Sequence, residues 1–206
     1  MAQRSYRLGR RQISSEETRA RIVSGARDLL MSADGFRHFT LDAIARRSGV
    51  TRMTVYNQLH SKTGIFDALA DDLALRGGIA KNLAAAFTEN DARVGLVRLI
   101  GAFVAFWSAE PEVMRKLHAL TQLDPEFSAL ERHGRRREAI RSMLERLRRQ
   151  HHRPSAKTLA RSIDVIHTLT AFDVYDTFAQ SGWSDRAISA QLVKLAETAL
   201  ELSREP

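Results

Sequence analysis

The sequence predicts an all-α protein of about nine helices: an N-terminal three-helix helix-turn-helix domain, then a helical-bundle body. Three observations predict it. Apolar residues recur at three- and four-residue spacing along nearly the whole chain, with no alternating strand pattern and no internal repeat. Residues 40–59 read as two short helices joined at a Ser48-Gly49-Val50 corner. Finally, residues 1–62 hold 12 Lys+Arg against 5 Asp+Glu, whereas residues 63–206 hold 20 against 19, so nearly all of the net charge of +8 sits with that corner. A part that neutralises phosphates is expected to carry such an excess.

At 206 residues the chain is long enough to bury a proper core. We divide it into a flexible basic arm (1–13), the helix-turn-helix domain (14–62) and the body (63–206). Cysteine is absent, which excludes disulfides and thiolate metal sites and makes a reducing interior the natural compartment. The basic start MAQRSYRLGRRQ precedes no apolar run, so it does not read as a signal peptide. No stretch approaches the roughly 20 apolar residues of a membrane span. The expectation is a soluble, cytoplasmic protein with no membrane partner.

Arg4, Arg7, Arg10 and Arg11 punctuate the arm, which either lies along DNA or is a disordered terminus. Ser14 and Glu17 form a capping box that starts the first helix; Ile22, Ala26, Leu29 and Ala33 give its apolar face, and Asp34-Gly35 closes it. In the next helix Leu41, Ile44 and Ala45 are apolar, while Asp42, Arg46 and Arg47 point elsewhere. Gly49 suits a left-handed corner, and Thr51 caps the third helix, which exposes Arg52, Met53, Asn57 and Gln58 and hides Val55 and Leu59. A face that mixes cationic, amide and small groups is equipped to read base edges in a major groove. Ser61 caps a fourth helix and sets Lys62 beside its free N–H groups, an anion site. The pattern Ile65, Phe66, Leu69, Leu73, Ile79, Leu83, Phe87 predicts one long helix, bent at Gly77-Gly78.

In the body, a fifth helix covers about 91–108 with Val97, Ile100, Val104 and Trp107 on one face. Pro111 opens a sixth that runs to about Leu123. A seventh starts at Pro125, turns Phe127, Leu130, Ile140, Leu144 and Leu147 inward, and carries Arg135-Arg136-Arg137 on a solvated face among Glu131, Glu138 and Glu145. An eighth runs from Ser155 to about Ser181, and a ninth from about Ser184 to Ser203. In the ninth, Ile188, Leu192, Leu195, Ala199 and Leu202 form one stripe and Val193, Ala196 and Leu200 an adjacent one. A terminal helix that is apolar on two faces needs two partners, so helices 8 and 9 are expected to form a homodimer interface.

Phe39-Thr40-Leu41, Ile44-Ala45, Ser48-Gly49-Val50, Thr54-Val55-Tyr56 and Ser61-Lys62 with Ile65-Phe66 closely resemble the DNA-binding signature of the TetR (tetracycline-repressor-like) family of transcriptional regulators, over about residues 18–70. The resemblance implies phosphate contacts for Thr40, Tyr56 and Lys62. It places Thr51, Arg52, Met53 and Thr54 at the leading end of the recognition helix, with Asn57 one turn on along the same side. A hydroxyl, a phenol and an ammonium are all phosphate donors, Arg52 can offer two donors to guanine, and Met53 can touch a thymine methyl. Three positions depart from the pattern: Gln58 for His or Tyr, Leu59 for Phe, and Gly64 for Glu. The Gln58 phosphate contact and half of a capping box are thereby put in question.

Beyond residue 70 the resemblance implies only a ligand-binding, dimerising body. Polar groups on apolar faces are the clue to an effector site: Met114, His118 and Thr121 in helix 6, and His167, Thr170 and Asp173 in helix 8, with Phe103, Trp107 and Phe172 as aromatic walls. That set suits a small organic effector. We find no nucleophile–base constellation, glycine-rich phosphate loop or metal-ligand spacing, so neither an enzyme nor a cofactor is expected. The expected partners are a double-stranded DNA operator, the effector and a second copy of the chain; the function is a repressor that the effector releases from DNA. The alternative class is a helical small-molecule-binding protein or enzyme that uses the N-terminal motif only for packing.

Overall fold

Thr40, Thr51 and Ser61 start three helices in 22 residues, and each does so by the same chemistry. The Thr40 hydroxyl accepts from the Ala43 N–H at 3.2 Å, that of Thr51 from Thr54 N–H at 3.1 Å, and that of Ser61 from Gly64 N–H at 3.0 Å. Each thereby satisfies a donor that a helix start leaves without an intrahelical partner. The computed structural model describes residues 2–33, 35, 38–123 and 132–202, and among them contains eleven α-helices and no strand. In chain order they are α1 (Ala2–Met31), α2 (Leu41–Ser48), α3 (Arg52–Leu59), α4 (Lys62–Arg76), α5 (Ile79–Thr88) and α6 (Ala92–Ala109). There follow α7 (Pro111–Leu123), α8 (Arg132–His151), α9 (Leu159–Leu169), α10 (Phe172–Gln180) and α11 (Asp185–Ala199).

The chain forms two compact units. The first extends to Leu73 and takes in α7 from Glu112 onward; the second holds Ala74–Pro111 and the chain from α8 on. In the first, α1 packs on α2 and α3 through Ile22, Ala26 and Leu30, which meet a core of Phe39, Ile44, Val55, Leu59, Ile65 and Leu69. Gly25 permits the approach: a Cβ there would stand 2.2 Å from Ser48 Oγ and 3.1 Å from Ser48 N. The corner between α2 and α3 turns on Gly49, at φ 65°, whose N–H returns to the Ala45 and Arg46 carbonyls. At the other end of α1, the Lys116 ammonium on α7 donates to the carbonyls of Leu30 and Met31, each at 3.1 Å, and of Ser32 at 3.5 Å. One cation therefore closes the negative end of α1.

The second unit is built around α6. By length and composition this helix could cross a membrane, but it buries Leu96, Leu99, Ile100, Phe103 and Val104 and packs against α5, α8, α10 and α11, as a core helix does. From α8, Ile140, Met143, Leu144 and Leu147 are fully buried. The last turns of α8 hold the α5–α6 connection. Arg146 donates to the carbonyls of Phe87, Glu89 and Asn90; Gln150 takes the Ala92 N–H at 2.7 Å; and His151 pairs with Asp91 at 2.8 Å. Asp91 also caps α6 by accepting from Arg93 N–H; that hydrogen bond first, and the one with His151 second, hold its carboxyl below the usual range.

Several boundaries differ from the sequence expectation. α1 begins at Ala2, so Ser14 and Glu17 lie inside the helix instead of capping it. The expected long fourth helix is two, α4 and α5, because Gly78 takes φ 61° between them. Val97 is 40% exposed, not inward, since the buried stripe of α6 runs through Leu96 and Leu99 instead. The expected eighth helix breaks at Thr170-Ala171 into α9 and α10. There the Trp107 indole N–H donates to the Thr170 carbonyl at 3.0 Å, and Arg136 donates to the His167 carbonyl at 2.8 Å, so the break leaves these carbonyls satisfied. Arg136 thus leaves the solvated face we assigned it, and burial drives its pKa down to about 10. In α11 the buried stripe is Ile188, Leu192 and Ala196, with Leu195 turned outward. Asp34, Pro125, Phe127 and Leu130 lie outside the described residues, as do the side chains of Arg4, Arg7, Arg10 and Arg11.

Candidate nucleic-acid interface

Short helices with capped starts present their first turns outward, and in the first unit two such turns stand side by side. Thr40 leads α2 and Thr51 leads α3; both are exposed, while Ala43, Ile44, Val55 and Leu59 anchor the helices inward. From α3 protrude Arg52, Met53, Tyr56 and Asn57, all exposed, with Met53 65% and Tyr56 53% accessible. A thioether and a phenol left this open on a well-packed unit are accessible to a partner. The Tyr56 ring stands edge-on to His60, with centroids 6.4 Å apart.

The remaining expected contacts are more occupied. Thr54 is half-buried and shares a 2.8 Å hydrogen bond with the Thr51 hydroxyl. Gln58 is half-buried and donates to Ser15 Oγ on α1 at 3.0 Å, so its amide is engaged in bracing α3 against α1. Lys62, also half-buried, occupies the first turn of α4 beside the Ser61 cap. Gly64 explains itself: a Cβ there would fall 1.9 Å from the Leu59 carbonyl oxygen, so no side chain fits without moving the α3–α4 turn. That turn is tight because His60 sits at φ 61° and Ser61 N–H reaches the Leu59 carbonyl at 2.7 Å.

Arg52 has a partner that the sequence reading did not assign. Its Nη1 lies 3.2 Å from Asp42 Oδ2 in the first turn of α2, with both side chains more than half exposed. The spacing of ten residues gave no local signal of it. Leu29, His38, Ala43, Arg46 and Arg47 line a shallow basic hollow.

The expected effector residues fall in both units. In the second, Phe103 and Thr170 are buried, Trp107 and His167 half-buried and Asp173 exposed. Trp107 and Phe172 meet edge to face with centroids 5.7 Å apart, and the Arg136 guanidinium stands beside them, 3.3 Å from Thr170 Oγ1 and under the influence of Asp173. Met114 and His118 belong to α7 in the first unit, where both are half-buried. A second shallow hollow, lined by Arg161, Asp164, Val165, Thr168 and Leu169 on α9, includes none of these residues. Among the described residues no group of three His, Cys, Asp or Glu side chains is placed to hold a metal ion.

Residues 22–69 match the family described as bacterial regulatory proteins, tetR family. No curated protein matches the chain by sequence. Among solved structures, the fold is similar to that of a TetR-like transcriptional regulator from Rhodococcus sp. RHA1, at 20% identity and a TM-score of 0.63, covering 89% of this chain and 96% of that one. It is also similar to NalD, the secondary repressor of the MexAB-OprM multidrug efflux pump in Pseudomonas aeruginosa, at 21% identity and a TM-score of 0.66, covering 91% and 97%.

Proposed function

We propose, from the premise that residues 22–69 are a TetR-family DNA-binding domain carried on a TetR-like regulator fold, that this chain is a homodimeric repressor which a small organic effector releases from its operator. The observation that carries the DNA-reading part is the exposed row Arg52, Met53, Tyr56 and Asn57, set beside the two threonine caps on a unit whose other apolar side chains are largely buried. Thr40, Tyr56 and Lys62 hold phosphates, and Arg52, Met53 and Thr54 reach base edges. Dimerisation is supported by Leu195, 38% exposed on α11 next to the α9 packing, and by the need of a single short recognition helix for a second half-site about one DNA turn away. The effector site is proposed in the second unit, around Phe103, Trp107, His167, Thr170 and Asp173. Helix α4 offers the mechanical link. It is unbroken from Lys62 to Arg76, and the division between the units falls within it, after Leu73. A small shift of α4 changes the spacing of two recognition helices and so costs operator affinity. The test is an electrophoretic mobility shift on duplexes from the protein's own upstream region across a salt series. We expect a sequence-specific, salt-sensitive shift at nanomolar to micromolar protein, and its absence would sink the regulator reading.

A further inference from the structure

We propose that Asp42 is a specificity-determining residue: it holds the Arg52 fork for a base edge and keeps that guanidinium off the phosphate backbone. The inference rests on the DNA-reading function above and deepens it. A carboxylate in this place needs an explanation. Asp42 lies two residues past the Thr40 cap, in the first turn of α2, on the side where α3 presents Arg52. The helix dipole favours an acid in that turn, but the same surface meets a polyanion, where every carboxylate lowers affinity for any duplex.

The ion pair supplies the reason. Its two members are 66% and 52% exposed, and pairs this open add little to stability. What the pair does is orient. Arginine presents five N–H donors in a planar fork, and a contact from Nη1 to Asp42 Oδ2 at 3.2 Å tethers that fork at one nitrogen and narrows the orientations open to it. Guanine O6 and N7 accept from two donors in one plane, so a guanidinium already tethered loses less freedom on meeting that edge than one free to swing. Asp42 also penalises the competing arrangement. An Arg52 that left for a phosphate would strand the carboxylate, unpaired, against DNA. The acid therefore weakens binding to every sequence and weakens it least where a guanine stands beneath Arg52, which is how a repulsive group creates preference.

The test begins with wild-type protein selecting from a randomised duplex library, followed by the same selection with Asp42→Asn, a change that keeps shape and removes charge. The probes are the duplex that wild type selects and a shuffled duplex of equal composition, each titrated across a salt series. With Asp42→Asn, affinity for the shuffled duplex should rise several-fold. The counterion slope should steepen by about 0.9 as Arg52 becomes a phosphate contact. Discrimination at one guanine-containing pair should fall by roughly ten-fold, within the range of one bidentate contact. Arg52→Ala should lose discrimination at the same pair, and adding Asp42→Asn to it should change that pair's discrimination no further. An unchanged consensus with discrimination within two-fold of wild type overturns the proposal, as does a uniform loss of affinity for both duplexes, which would make Asp42 a helix-start residue alone. Failure of wild type to select any consensus would instead sink the DNA-reading function on which the inference stands.

Discussion

Lys116 closes α1 from 84 to 86 residues away, and removing its charge should be felt in the first unit before anywhere else. Its ammonium donates to three carbonyls at 3.1, 3.1 and 3.5 Å, the last of them marginal. Two charge-assisted bonds of about 1.5 kcal/mol each, at the low end of their range, give about 3 kcal/mol. A cation at a helix C-terminus adds about 0.5 kcal/mol. Ordering a lysine side chain costs about 1.5 kcal/mol. The balance is about 2 kcal/mol, which for a chain of this size is a fall in melting temperature of about 4 to 8 °C. Lys116→Met retains the apolar stem and removes the donor, so thermal unfolding of that variant isolates the head group. Amide exchange should accelerate in the last turns of α1, and operator affinity should weaken with an unchanged counterion slope, because Lys116 acts on carbonyls and not on phosphates. A Lys116→Met protein that melts within about 1 °C of wild type, with α1 equally protected, would refute the ledger and the clamp with it.

Three further outcomes are expected. Gly25→Ala should gain about 1 kcal/mol of helix propensity but lose about 1 to 3 kcal/mol against Ser48, giving a lower urea midpoint at constant m value; a raised midpoint would show that α2 can retreat from α1 freely. Lys62→Ala should weaken binding to operator and shuffled duplexes alike and flatten the salt slope by about 0.9, whereas a change confined to one base pair would move Lys62 from backbone to base contact. Asp91 has a carboxyl pKa lowered below 3.8 in the folded chain, so its contribution is present above that value and disappears as pH falls through the folded one. Melting temperature followed from pH 5 to pH 3 should therefore drop more steeply for wild type than for Asp91→Asn below about pH 4; parallel curves would refute the assignment.

What the sequence made legible has a common physical origin. Caps act over two or three residues, so Thr51 and Ser61 announce their helices to anyone who knows what a hydroxyl does at a helix start, and Gly49 announces its corner. Apolar periodicity located α6, though it misplaced Val97 on the buried stripe, and it turned Ile140, Leu144 and Leu147 of α8 inward in the same local way. The interactions that escaped are those whose partners lie far along the chain. Nothing near Lys116 points to Leu30, nothing near Gln58 points to Ser15, and an arginine triplet gives no sign that its middle member donates to a carbonyl of α9. The break at Thr170 is of the same kind. Its freed carbonyls are tolerable only because Trp107 and Arg136 arrive from two other helices, so a periodicity that continues unbroken through 163–174 could not reveal it. Among the candidate site residues, those exposed on α3 were readable because exposure needs no partner. Gln58 was not, since its engagement with α1 is a tertiary fact.

Net charge, the coarsest of the signals, points at the part of the chain proposed to meet DNA and says least about how a sequence would be chosen. The excess of cations in residues 1–62 bears on attraction to any duplex, and each phosphate contact adds the same increment whatever the bases are. Preference has to come from terms that differ between sequences, and those are few: a guanidinium plane, a thioether, an amide one turn along. Asp42 subtracts from the first quantity, and by our inference adds to the second. A charge count records that carboxylate only as one positive unit lost. By that inference, its 3.2 Å contact with Arg52 is what would separate a surface that merely holds DNA from one that discriminates along it.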